Sequence, residues 1–186
     1  MPKSSARIPA ALAKRARRIK VFLMDVDGTI TTGAVTLLAQ PDGSALEIKT
    51  FDAHDGQGLS LAHTAGLRTG VITGRESAAT RRRAHELSIE FVYEKQPHKI
   101  AAYEEILKKT GAAELEVAYL GDDLPDLTVM RRVGLAVAVG NAAVEVKRAA
   151  HYVTKAIGGK GAARETVELI LKSKGIWQQM IDKARA

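Results

Sequence analysis

Three observations predict a three-layer α/β fold around a central parallel sheet. Short apolar runs of strand length recur along the chain, a helix-length amphipathic stretch follows each, and acidic or hydroxyl residues cluster just after the runs. A run that is apolar at consecutive positions is buried on both faces, as parallel strands are, and parallel strands need crossover helices between them. The first run is Val21-Phe22-Leu23-Met24. The others are Thr69-Gly70-Val71-Ile72, Ile89-Glu90-Phe91-Val92, Val117-Ala118-Tyr119-Leu120 and Leu135-Ala136-Val137-Ala138-Val139. Helices are expected over 56–65, 76–87, 99–110, 124–133 and 142–149. One segment breaks the alternation: two β-rich runs, 35–38 and 46–50, flank the turn signature Pro41-Asp42-Gly43-Ser44, which predicts a β-hairpin protruding from the main sheet. After the glycine-rich stretch 158–161, one or two helices close the chain.

At 186 residues the chain has the length of one domain. Cysteine is absent, which excludes a disulfide scaffold, a thiolate nucleophile and a cysteine-ligated metal, and which fits a reducing cytoplasm. No apolar run is long enough to span a membrane, and no signal-peptide core follows the basic N-terminus. The net charge of +7 is local. Lys3, Arg7, Lys14, Arg15, Arg17, Arg18 and Lys20 fall among the first twenty residues with no acidic residue, and the rest of the chain balances 21 basic against 21 acidic residues. Residues 1–20 therefore read as a basic N-terminal arm or helix ahead of a single domain over 21–186. No aromatic residue interleaves these charges, so single-strand stacking on nucleic acid is not expected.

In an open parallel sheet, ligands bind beyond the carboxyl ends of the strands. Asp25 and Asp27 follow the first run, Thr73, Gly74 and Arg75 the second, and Gly121-Asp122-Asp123 with Asp126 the fourth, while Lys99 stands near a crossover helix. One Asp at a strand end is ordinarily a helix cap. Carboxylates brought together from two strand ends would repel one another, so a divalent cation, a lysine or both must neutralise them. Oxygen ligands without His or Cys favour magnesium over zinc. Of two carboxylates at spacing two, one can attack phosphorus while the other moves protons. Thr73 and Lys99 can hold the non-bridging phosphoryl oxygens.

Asp25-Val26-Asp27-Gly28-Thr29, Ile72-Thr73-Gly74-Arg75, Lys99 and Gly121-Asp122-Asp123-Leu124-Pro125-Asp126 resemble, in order, the four motifs of the haloacid dehalogenase superfamily of phosphatases. The resemblance implies a haloacid-dehalogenase-like Rossmannoid fold with Asp25 as nucleophile, Asp27 as acid/base, and Thr73 and Lys99 as phosphate binders. It also implies Mg2+ held by the Asp25 carboxylate, the Asp27 backbone carbonyl and Asp122, with Asp123 and Asp126 behind them. The spacing between motifs leaves no room for a cap domain. Three further segments, Phe51-Asp52-Ala53-His54-Asp55-Gly56-Gln57-Gly58, 133–139 and Gly158-Gly159-Lys160-Gly161-Ala162-Ala163-Arg164-Glu165, resemble the capless tetrameric subgroup of 3-deoxy-D-manno-octulosonate (KDO) 8-phosphate phosphatases. That likeness implies a homotetramer in which subunits pair hairpins and cover one another's sites. It implies a phosphorylated acidic sugar as substrate, KDO 8-phosphate first and nonulosonate 9-phosphates second, contacted by Arg75 and by Lys160 or Arg164. A non-catalytic oligomerisation module of the same fold is the remaining alternative. His54 departs from the subgroup, where Arg is frequent.

Overall fold

The computed structural model describes residues 8–183. Lys3 and Arg7 of the basic leader lie outside that range. Six parallel strands form the main sheet in the order β5-β4-β1-β6-β7-β8: β1 (Val21–Met24), β4 (Arg68–Ile72), β5 (Phe91–Tyr93), β6 (Val117–Gly121), β7 (Leu135–Ala138) and β8 (Tyr152–Val153). Every residue of β1, β6 and β7 is buried. Because neighbouring side chains on a strand point to opposite faces, both faces of the sheet must be covered. One helical group is α1 (Ala10–Arg17), α2 (Ala53–Thr64) and α7 (Ala162–Ser173), with α8 (Trp177–Lys183) against α7. The other is α4 (Ile100–Thr110), α5 (Leu127–Met130) and α6 (Val144–Ala149), while α3 (Ala78–Glu86) links β4 to β5.

The first strand takes the centre of the sheet, pairing β4 on one side and β6 on the other. The chain leaves β1 towards β4 and β5, then returns across it to β6, β7 and β8. This reversal opens a crevice at the carboxyl ends of β1, β4 and β6, where the motif residues sit. Among the described residues, only the hairpin and α2 lie between β1 and β4, and only α3 and β5 between β4 and α4, so no cap domain is present.

The hairpin of β2 (Thr36–Ala39) and β3 (Ala45–Ile48) is a separate antiparallel sheet. Leu38 and Leu46 are cross-strand partners, and Ile48 shares their face. All three are exposed, as are Val35 and Leu37.

Three elements depart from the sequence expectation. β8 was not foreseen, since two residues carry too little pattern to register as a strand. The helix expected over 124–133 is a 3-10 turn at Leu124–Asp126 followed by the short α5. And α2 starts at Ala53 because Asp52 caps it, accepting the His54 backbone N–H. Within the leader, α1 buries Ala13 and Ala16 in the common core. Arg15 donates to the Gly134 carbonyl, Arg17 donates to the Ser173 carbonyl, and Lys20 pairs with Glu116. Much of the N-terminal charge is thus tied to the body. No described helix is long and apolar enough to cross a membrane.

Candidate active site

The turn after β1 is built around one carbonyl. The backbone N–H groups of Thr29, Ile30 and Thr31 all donate to the Val26 carbonyl, and Gly28 adopts φ +91°. A Cβ at Gly28 would lie 2.0 Å from Asp122 Oδ2, so only glycine lets the two motif loops close on each other. The Thr29 hydroxyl then donates to Asp122 Oδ1 at 2.7 Å.

Lys99 completes the floor. Its ammonium, buried, donates to Asp25 Oδ1 at 2.5 Å and to Asp126 Oδ1 at 2.7 Å. Asp126 also accepts the Tyr119 hydroxyl at 2.8 Å, while its Oδ2 takes the backbone N–H groups of Asp122 and Asp123. With both oxygens engaged, Asp126 aims the lysine and shapes the loop. Thr73, buried, lines the same cleft of about 200 Å³ with Asp25, Asp27, Lys99 and Asp122.

Crowding leaves these acids short of positive charge. Burial pushes the Asp25 carboxyl up to about 7, with Lys99 pulling it down and Asp126 pushing it further up. Burial also pushes Asp122 up to about 6, against the Thr29 hydroxyl. Burial alone would lower the Lys99 ammonium, but Asp25 and Asp126 hold it above its ordinary value. Carboxylate oxygens of Asp25, Asp122 and Asp126 lie within 4.8 Å of one another. This all-oxygen, under-neutralised pocket fits a hard divalent cation.

The other predicted residues lie at the rim or beyond it. Asp123 lines the same cleft from an exposed position, where its carboxylate accepts the Leu124 N–H and caps the 3-10 turn. Arg75 lines the cleft, but its guanidinium is engaged by Glu47 of the hairpin at 2.5 Å. Lys160 and Arg164 do not line the cleft. Arg164 pairs with Glu168 and stacks 5.2 Å from the Trp177 ring centroid. His54 has a side chain 87% exposed, beside Asp52.

The glycine-rich segment supports the site from behind. A Cβ at Gly158 would lie 1.7 Å from the Gly28 carbonyl oxygen, and one at Gly159 would lie 2.4 Å from the Thr31 carbonyl carbon. The two signature segments also meet. Asp55 on α2 accepts the N–H groups of Gly161 and Arg164 at the start of α7, and a Cβ at Gly58 would strike the Arg164 backbone. Sequence reading missed Tyr119, Glu47 and Lys49. Tyr119 is one more apolar-run residue, and the other two are hairpin charges with the spacing of a solvated face.

The profile of the haloacid dehalogenase-like hydrolases matches residues 73–165, half of the chain. This chain belongs to that family. Among its relatives, the 3-deoxy-D-manno-octulosonate 8-phosphate phosphatase KdsC of Escherichia coli strain K12 is 36% identical over 168 residues, 90% of this chain and 87% of that one. The protein of that name from Yersinia pestis is 39% identical over 158 residues, 85% of this chain and 82% of the other. Among solved haloacid dehalogenase-like structures, a probable YrbI family phosphatase from Pseudomonas syringae pv. phaseolica 1448a superposes with a TM-score of 0.88 at 43% identity, covering 96% of this chain and 99% of its own. The Moraxella catarrhalis 3-deoxy-D-manno-octulosonate 8-phosphate phosphatase, in complex with magnesium, phosphate and KDO, superposes with a TM-score of 0.86 at 37% identity, covering 93% and 97%.

Proposed function

We propose that this chain is a magnesium-dependent phosphatase that hydrolyses KDO 8-phosphate to KDO and inorganic phosphate through an aspartyl-phosphate intermediate. The observation that carries the chemistry is the convergence of Asp25, Asp122, Asp126 and Lys99 at one strand-end cleft. The identity of the relatives over nearly their whole length supports the sugar.

Asp25 attacks phosphorus as the bond to the sugar oxygen breaks, and Asp27 gives that oxygen a proton. Asp27 then takes a proton from water as the water oxygen displaces Asp25 from phosphorus. Lys99 and the Thr73 hydroxyl hold the non-bridging oxygens, where transition-state charge gathers. Magnesium would be held by the Asp25 carboxylate, the Asp27 backbone carbonyl and Asp122, and would neutralise phosphoryl charge in the buried pocket.

The hairpin supports a homotetramer. A two-stranded sheet with free edges and exposed leucines is a surface that proteins cover, and copies of the same chain can cover it symmetrically. Lys160, exposed on its loop, or Arg164 would meet a substrate carboxylate in a neighbouring protomer's cleft. Nothing in the described fold calls for nucleic acid or membrane, and the cytoplasm is the compartment that fits.

The test is phosphate release from KDO 8-phosphate and nonulosonate 9-phosphates, with and without magnesium, with Asp25→Asn as the blank. Magnesium-dependent turnover selective for KDO 8-phosphate, lost by at least about 10⁴-fold in Asp25→Asn, is expected. Preference for a nonulosonate 9-phosphate moves the substrate, and no turnover by a folded oligomer leaves the non-catalytic module. Light scattering that gives a fully active monomer overturns the tetramer.

A further inference from the structure

The proton-transfer residue of this mechanism is half engaged. Lys49 stands one residue beyond β3, its side chain is 3% exposed, and its ammonium donates to Asp27 Oδ1. The other oxygen of the same carboxylate, Asp27 Oδ2, is buried and has no partner among the described residues. Buried polar oxygens are ordinarily satisfied, and one left open in a reaction cleft is an acceptor awaiting a ligand.

The hairpin brings this lysine in by strand alternation. Glu47 and Lys49 lie two apart and reach the cleft residues Arg75 and Asp27, whereas Leu46 and Ile48, which alternate with them, are exposed. Glu47 accepts from Arg75 and from the Ser77 hydroxyl, each at 2.5 Å, and lies 3.9 Å from the Lys49 ammonium. The base of β3 is thereby clamped to the loop after β4, and the lysine has little freedom to leave Asp27. A buried ammonium is stable only beside a counter-charge, which Glu47 supplies while Asp27 carries its proton and Asp27 shares once it is ionised.

We propose that Lys49 is a positioning residue for proton transfer: it holds Asp27 through Oδ1 so that Oδ2 faces the sugar oxygen of the leaving group and, in the second half-reaction, the attacking water. This rests on the phosphatase reading above. In the first step the proton on Oδ2 passes to the sugar oxygen as the P–O bond to sugar breaks and the bond from Asp25 to phosphorus forms. In the second, Oδ2 takes a proton from water as the water oxygen bonds to phosphorus and the bond to Asp25 breaks. Lys49 keeps its protons throughout.

The proposal separates two leaving groups. A sugar alkoxide needs the proton from Asp27, whereas 2,4-dinitrophenolate leaves without one. Wild type, Lys49→Met and Lys49→Gln are compared by rapid quench on KDO 8-phosphate and by the stopped-flow phenolate burst on 2,4-dinitrophenyl phosphate, with magnesium titrated by calorimetry. Lys49→Met is expected to slow sugar release by about 100-fold or more. Its phenolate burst is expected to stay within about threefold of wild type, with magnesium affinity unchanged. Lys49→Gln, which keeps one donor, should fall between the two on the sugar phosphate and match wild type in the burst, and it carries the comparison if Lys49→Met does not fold. Equal losses on both substrates would place Lys49 in the phosphoryl pocket or the fold and overturn the proposal, as would no loss on either. A wild-type chain that turns over no phosphosugar overturns the underlying reading, and the proposal with it.

Discussion

The floor of the cleft is made of strand ends in which Asp25, Thr73, Lys99 and Asp126 are all buried, whereas the hairpin beside it exposes Leu38, Leu46 and Ile48 on a sheet of its own. Both regions deliver charged groups to the same chemistry. The floor does so with parts that a single chain completes: β1 is gripped between β4 and β6, and Lys99 and Asp126 close the hydrogen-bond network. The hairpin delivers Glu47 and Lys49 from an element that one chain leaves half covered. The groups proposed to handle the phosphoryl charge therefore rest on the core, and the lysine proposed to position the proton-transfer residue rests on an exposed hairpin.

That contrast can be broken at three points. The largest effect belongs to Lys99→Met, which leaves the Asp25 and Asp126 carboxylates facing one another without the ammonium between them. Loss of one partner from such a buried cluster costs about 3–5 kcal/mol. Both phosphate release and the urea midpoint should fall, and a variant that loses activity while keeping its midpoint would show that the floor is not a single unit. Next is Gly158→Ala. Its methyl group would meet the Gly28 carbonyl, and overpacking of this kind costs about 1–3 kcal/mol, a fall in Tm of roughly 2–4 °C per kcal/mol for a chain of this size. A calorimetric scan checks it, and an unchanged Tm would mean that the glycine loop is not seated on the catalytic turn. The smallest effect on the protomer belongs to Leu38→Lys with Leu46→Lys. Exposed substitutions change stability by about 0.5 kcal/mol or less, yet light scattering should report a smaller assembly. An unchanged mass would move the subunit contact away from the hairpin.

The same contrast explains what could be read in the sequence. The central strands and the order of the motif residues were legible because burial on both faces forces continuous apolar runs, and the chemistry follows at strand ends. The magnesium reading rested on Asp25, the Asp27 backbone carbonyl and Asp122, and the structure brings carboxylate oxygens of Asp25, Asp122 and Asp126 within 4.8 Å of one another. Asp122 and Asp123 look alike in the sequence, and only the backbone after β6 separates the half-buried acid from the exposed one at the cleft rim. Glu47 and Lys49 were illegible for a deeper reason. A Glu-x-Lys alternation on a hairpin has the pattern of a solvent-facing strand, and only the fold-back onto Asp27 and Arg75 turns that face inward. The contacts of Arg164 with Glu168 and Trp177 were not legible in its motif, because they depend on how α8 packs against α7.

The seating of Gly158 and Gly159 on the turn between Gly28 and Thr31 sets an order of events during synthesis. Asp25 and its neighbours emerge among the first thirty residues, and β1 must wait for β4 and then β6 before its place at the centre of the sheet exists. The catalytic turn waits longer still, for a support that lies some 130 residues downstream. A nascent chain halted before Gly158 would already contain Asp25, Thr73, Lys99, Asp122 and Asp126, yet would have nothing beneath the turn that follows Asp25. Competence to hydrolyse phosphate would arrive late and all at once, when the last sixth of the polypeptide docks.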